Sequence, residues 1–190
     1  MTVKRRIYGF DLRGRAFVRL NKLKLFACTI LTNEASTDHI YDGIVIEHSG
    51  THAGNPSSFG LTLRDRGILK NSELAWDSRG LLTLAGSDIR VYNNYLHDSG
   101  YVPGYEGMVS GSGYPFSGVT GSRNLFSRNT LKSAGRPMMT GIGRASIIEY
   151  NDLSDAMKLT SDGAAFSMYL EAGNSIFRYN LIHDLSLIHI

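Results

Sequence analysis

Apolar and polar residues alternate along short stretches of this chain, and one short pattern returns seven times. We take as anchor a position that is most often Asn; the residue two before it is always polar or amphipathic. The anchors are Asn21, Ile44, Ser72, Asn94, Asn129, Asn151 and Asn180. Three before them stand Val18, Tyr41, Leu69, Val91, Phe126, Ile148 and Phe177, and two after them stand Leu23, Ile46, Leu74, Leu96, Leu131, Leu153 and Ile182. Strict alternation is the period of a β-strand, so the pattern predicts a β repeat protein.

The spacing of the anchors indicates which kind of repeat this is. The shortest unit is 22 residues long and the others carry insertions. A unit of that length holds two or three strands of three to five residues plus turns. One such unit cannot bury its apolar face alone, whereas stacked units can. No window shows the sustained period of a capped helix, so helical repeats are disfavoured.

Turn residues punctuate each unit. We expect the anchor Asn to take the left-handed conformation where one strand bends into the next. Asn side chains at equivalent positions would then hydrogen-bond along the stack as a ladder. Glycines flank three further apolar segments, which predict another strand in each unit: 81–84, 138–140 and 166–170.

The repeated phrase Asn-x-Ile/Leu-x-Asp occurs at Asn94–Asp98, Asn151–Asp155 and Asn180–Asp184. With the two apolar columns, it resembles the right-handed parallel β-helix of pectate lyases, polygalacturonases and many secreted bacterial proteins. The resemblance implies an all-β, right-handed solenoid of about seven coils. It also implies a secreted or cell-surface parent protein, and a polysaccharide as partner.

The resemblance covers residues 1–184, which we expect to form one β-helix domain. The last six residues, 185–190, resemble the translation of a transposon-end sequencing adapter. We therefore expect a non-native tail there, and a domain that is truncated from a longer protein.

Composition excludes several classes of function. The net charge of +3 lacks the dense basic patch of a nucleic-acid-binding protein. A single cysteine gives neither a disulfide framework nor a thiolate metal site. No segment is apolar enough to span a membrane. We expect a monomer whose partner is neither nucleic acid nor membrane.

Three carboxylates share one column of the repeat, four residues after the anchor. Asp155 and Asp184 stand on consecutive units, about 5 Å apart, and Asp98 lies about 10 Å from Asp155. Paired carboxylates at such separations suit a retaining or an inverting glycosidase. Stacked carboxylates also suit calcium, although no other cofactor or metal is expected. The plainer alternative is that these residues cap turn amides.

A lyase would use a cation to neutralise a uronate and a base to remove a proton. Lys158 with Arg144 or Arg136 would provide that combination on this chain. His97 and His183 lie three units apart, about 14 Å, and so cannot share one metal ion. The Asn-Thr-Asp, Asp-Asp and Gly-His-Gly motifs of polygalacturonases are absent, as is the paired-Asp signature of pectate lyases.

Two insertions interrupt the repeat, at 49–58 and 99–118. Loops that project from a solenoid often build binding grooves. The second insertion carries Tyr101, Tyr105 and Tyr114, which with Trp76 would offer aromatic platforms to sugar rings. The alternative is a surface loop whose Tyr rings cover the wall.

Two hypotheses remain. In the first, the domain binds an extended polysaccharide and cleaves it as a glycoside hydrolase or a polysaccharide lyase. In the second, it is a noncatalytic secreted or cell-surface β-helix that binds glycan or spaces other domains.

Overall fold

The chain folds as a stack of parallel β-sheets. The computed structural model describes residues 8–49, 60–101, 107–110, 121–159, 163–167 and 173–185, and none of these is helical. The insertion tips, with Tyr105 and Tyr114, and residues 186–190 of the predicted tail lie outside these ranges.

Most strands are only three to five residues long, as a 22-residue repeat requires. In chain order they are β1 Tyr8–Asp11, β2 Arg19–Asn21, β3 Lys24–Phe26, β4 Thr29–Leu31, β5 Ile40–Asp42, β6 Val45–Glu47, β7 Leu61–Leu63, β8 Ile68–Lys70, β9 Glu73–Asp77, β10 Leu82–Leu84, β11 Arg90–Tyr92, β12 Tyr95–Ser99, β13 Val109–Ser110, β14 Leu125–Ser127, β15 Thr130–Ala134, β16 Met139–Thr140, β17 Ile147–Glu149, β18 Asp152–Ser154, β19 Phe166–Ser167, β20 Ile176–Arg178 and β21 Leu181–His183.

Every third strand along the chain belongs to the same sheet. The first sheet has the order β2-β5-β8-β11-β14-β17-β20, and the second has the order β3-β6-β9-β12-β15-β18-β21. The third sheet has the order β7-β10-β13-β16-β19, and β1 pairs with β4. All pairings are parallel. The described chain is therefore a parallel β-solenoid, which confirms the predicted all-β repeat architecture at this level.

The two apolar columns face the interior. Phe126 of the first sheet and Leu131 of the second are both fully buried. Leu82 and Met139 of the third sheet close the same core from its remaining side. The 81–84, 138–140 and 166–170 segments thus supply the predicted additional strand, as far as they are described.

The predicted register is wrong in the first unit by two residues. Asn21 pairs with Asp42, so the residue equivalent to Ile44 is Leu23 rather than Asn21. The apolar pair of that unit is consequently Leu20 and Leu25. A two-residue slip keeps every side chain on its face, because the strand period is two, and so the alternation alone does not expose it.

The anchor residues form the expected hydrogen-bond ladder, but they do not have the expected left-handed backbone conformation. Asn129 Oδ1 accepts from the backbone N–H of Asn94, and Asn151 Oδ1 accepts from that of Asn129. The left-handed conformation belongs instead to the residue before each anchor, for example Arg128 (φ 55°) and Tyr150 (φ 57°). That residue turns outward, and the anchor side chain is buried beneath the turn.

Candidate functional site

A column of left-handed residues runs along the stack at or next to the C-terminal end of each strand of the second sheet. His97 pairs with Lys132 and Ser99 pairs with Ala134, so Asp98 stands opposite Ser133 between these two pairs. Positive φ at each position interrupts the regular strand, although β9, β12 and β15 continue for one residue beyond it. The seven members, all with φ between 50° and 68°, are Ala27, His48, Trp76, Asp98, Ser133, Asp155 and Asp184. We call this set the left-handed column.

An aromatic row lies along the early part of this column. We define it as Phe26, His48, Trp76, His97 and Tyr95. Ring centroids are 5.3 Å apart for Phe26–His48, 6.3 Å for His48–Trp76 and 5.9 Å for Trp76–His97, and Tyr95 stacks on His97 at 4.1 Å. Phe26 is 64% exposed and Trp76 48% exposed. The row therefore presents aromatic surface to solvent, parallel to the axis of the solenoid.

His97 lies between two carboxylates. Its Nδ1 is 2.7 Å from Asp98 Oδ2, and its Nε2 is 3.2 Å from Glu73 Oε1 on the preceding strand of the sheet. The imidazole is almost fully buried, which fixes the ring against both partners. Asp98 is thus oriented by a histidine whose other nitrogen is also engaged.

A polar cluster continues the row along the column. It consists of Asp98, Tyr101, Ser133, Asp155 and Lys158. Lys158 Nζ is 2.5 Å from Asp155 Oδ2 and 3.1 Å from Ser133 Oγ. Tyr101 Oη lies 2.9 Å from the same Ser133 Oγ. The cluster joins groups from three consecutive turns of the chain.

The charge of Lys158 decides what this cluster can do. Its hydrogen bond to Asp155 raises the pKa of Lys158, with further support from Tyr101 and Asp98. The side chain therefore stays an ammonium ion near neutral pH and does not serve as a base. It cannot activate Ser133 as a nucleophile by taking its proton, but it can neutralise an anionic group of a ligand.

The structure brings together part of the predicted site. Asp98, Asp155, Lys158 and Tyr101 meet in the polar cluster, and Trp76 belongs to the aromatic row beside it. Arg144 lies elsewhere, bridged to Ser122 at the turn before β17. The predicted contacts of Tyr105 and Tyr114 fall outside the described residues.

Asp184 has a different setting, at the last turn of the column. His183 Nδ1 is 2.7 Å from Asp184 Oδ2, and its Nε2 is 2.9 Å from Asp152 Oδ1. The hydrogen bonds to Asp184 and then Asp152 raise the pKa of His183. The arrangement repeats the Glu73–His97–Asp98 geometry with more exposed side chains.

Sequence reasoning missed the carboxylates that face the two histidines. Glu73 and Asp152 each follow their anchor directly, and each histidine stands three residues after the next anchor in its column. Reading adjacent rows of the repeat together would have exposed both pairs. Phe26, His48 and Tyr95 of the aromatic row were missed for the same reason.

No protein-family model, curated protein or solved structure matches this chain. Among the described residues, no helix has the length and apolar character to cross a membrane. The same residues contain no group of three or more His, Cys, Asp or Glu side chains placed to hold a metal ion. Calcium binding by the stacked carboxylates stays a prediction.

Proposed function

We propose that this chain is a right-handed parallel β-helix of about seven coils that binds an extended polysaccharide along the aromatic row. The observation that carries the proposal is the continuity of the aromatic row with the polar cluster on one line. The proposed setting is a monomeric domain of a secreted or cell-surface protein, where such polymers occur.

The chemistry of the line fits a sugar polymer. Exposed aromatic rings such as Phe26 and Trp76 offer flat apolar faces for the C–H faces of sugar rings. Asp98 and Tyr101 then supply polar groups for hydroxyls. A line parallel to the solenoid axis contacts several consecutive sugars, which favours an extended chain over a single small molecule.

Replacing Trp76 tests the binding proposal. We expect Trp76→Ala to weaken binding of a recognised polysaccharide by at least about tenfold, because Trp is enriched among binding hot spots and Trp76 is central in the aromatic row. Affinity gel electrophoresis against a panel of neutral and acidic polysaccharides measures this loss. The matched control is Phe17→Ala, because Phe17 is also exposed and left-handed (φ 59°) but precedes β2.

Binding that is unchanged in Trp76→Ala, or weakened equally in Phe17→Ala, would place the glycan elsewhere. Circular dichroism of both variants checks that the fold is retained.

Cleavage of the bound glycan is a second candidate function. Asp98 and Asp155 flank Ser133 in the left-handed column, so they stand two strand spacings apart, about 10 Å between backbones. Inverting glycosidases hold their carboxylates about 6.5–9.5 Å apart. Lys158 Nζ contacts Asp155 and Ser133, and it would neutralise a uronate carboxylate in a lyase reaction.

Isosteric substitutions test the cleavage proposal. We expect Asp98→Asn and Asp155→Asn each to lower cleavage by about 100-fold or more while binding is retained, because an amide cannot transfer the proton. Reducing-end release reports hydrolysis, and ultraviolet absorbance of unsaturated ends reports elimination. A wild-type protein that binds its glycan and yields neither product is the noncatalytic β-helix of the alternative hypothesis.

A further inference from the structure

A trough lies above the buried Asn ladder, at the corner between the first and second sheets. Its volume is about 440 Å³. In the five turns anchored by Ile44, Ser72, Asn94, Asn129 and Asn151, the residue before the anchor and the residue after it are solvent-accessible, whereas the anchor is buried. Successive turns align these depressions along the stack. One wall consists of Asn71, Asn93 and Arg128, and the other of Val45, Glu73, Tyr95 and Thr130.

Arg128 lines this trough and has no carboxylate partner among the described residues. Its guanidinium lies over the Tyr150 ring, 5.5 Å from the centroid, and no carboxylate pairs with it in the described part of the chain. By contrast, Arg66, Arg123 and Arg178 each form an ion pair with a carboxylate on the preceding turn. A planar guanidinium that stacks on an aromatic ring and has no carboxylate partner is suited to bidentate binding of a ligand carboxylate.

The remaining walls carry oriented polar groups. Asn93 Nδ2 donates to Asn71 Oδ1 at 2.6 Å, and Asn71 Nδ2 donates to Asp42 Oδ1 at 2.8 Å. These bonds hold the amides in line along the wall. Burial raises the pKa of Tyr95, with Asp98 and Glu73 adding to the effect, so its phenol stays neutral and able to donate.

The acidic side chain in the trough is already engaged. Glu73 Oε1 faces Nε2 of His97, outside the trough, at 3.2 Å. Arg128 and Glu73 lie on opposite walls. A ligand carboxylate bound by Arg128 is therefore separated from the Glu73 carboxylate by the width of the trough.

We infer that this trough binds a carboxylated sugar residue of the glycan, with Arg128 holding the carboxylate and Tyr95 and the Asn71–Asn93 pair contacting hydroxyls. The inference rests on the proposed function, because Tyr95 belongs to both the trough wall and the aromatic row. It adds that the recognised polysaccharide is acidic, and it identifies the trough as the site that recognises the carboxylate.

Two changes together test this inference: reduction of the carboxyl groups of the ligand, and substitution of Arg128 in the protein. The probes are a glucuronic-acid-containing oligosaccharide and the same oligosaccharide with its carboxyl groups reduced to alcohols, titrated by calorimetry. We expect wild-type protein to bind the acidic form about tenfold or more tightly than the reduced form. Arg128→Ala should lose that preference while binding the reduced form as wild type does, and Arg128→Lys should recover part of it. The control Arg90→Ala removes an exposed charge from the first sheet and should keep the full preference.

The outcomes separate the two proposals. Binding that depends on Trp76 but shows the same acid preference in Arg128→Ala overturns the trough inference alone. An acid preference lost equally in Arg90→Ala overturns it too, since overall charge would then explain the effect. The proposed function itself fails if wild-type protein binds neither these two probes nor any polysaccharide of the panel.

Discussion

Replacing Asn129 with Leu is expected to destabilise the protein by about 4 kcal/mol. The side chain is 1% exposed, and Oδ1 accepts from both the backbone N–H and the side-chain Nδ2 of Asn94. Its Nδ2 donates to the Val91 carbonyl and to Asn151 Oδ1. Leu has a similar volume but makes none of these bonds, and each buried polar group left unpaired costs about 1–3 kcal/mol.

Urea denaturation followed by circular dichroism measures the effect. The control is Asn21→Leu, since Asn21 is exposed in β2 and should change the free energy of unfolding by less than about 0.5 kcal/mol. If Asn129→Leu unfolds within that same margin of wild type, the ladder does not hold the stack together.

Replacing Gly121 with Ala is expected to be equally severe, with a loss of about 4 kcal/mol or failure to fold. Gly121 has a φ of 107°, a conformation that L residues rarely adopt. A Cβ there would also stand in hard contact with the backbone carbonyl of Gly86 on the preceding turn. Backbone cannot move aside as a flexible side chain does, so adjacent turns would have to separate.

Gly14→Ala isolates the conformational part of this cost. Gly14 also has positive φ (68°), but a Cβ there meets nothing within 4 Å. Gly14→Ala should therefore lower the free energy of unfolding only by the cost of a left-handed alanine, about 1–2 kcal/mol. Equal thermal stability of the two variants would show that close approach of the turns at Gly86 is not limiting.

The core was predictable because one physical rule generates it. Leu74, Leu131 and Phe126 face inward because alternation and repetition coincide, and stacking turns leave no other place for them. The second buried polar column was not predictable in this way. Asn124 and Ser146 accept from backbone N–H groups of the preceding turn, but their types differ from row to row and no column of one residue type marks them.

For the candidate site, only the alignment of its residues in one column of the repeat was predictable from the sequence. The repeat places Asp98 and Asp155 in one column, and the structure keeps them there. The ion pair of Lys158 with Asp155 and the contact of Tyr101 with Ser133 depend on how turn residues fold back over the column. Those turns differ in length between units, so the repeat carries no information about them.

A polysaccharide bound along the aromatic row would cover Trp76, and the fluorescence of Trp76 reports this directly because it is the only tryptophan of the chain. Its emission should be recorded while wild-type protein is titrated with the polysaccharide that it binds, with acrylamide quenching at each point. We expect a blue shift and reduced quenching that saturate together with binding, because the sugar covers a ring that is 48% exposed. Saturable binding that leaves both the emission and the quenching of Trp76 unchanged would contradict binding along the aromatic row.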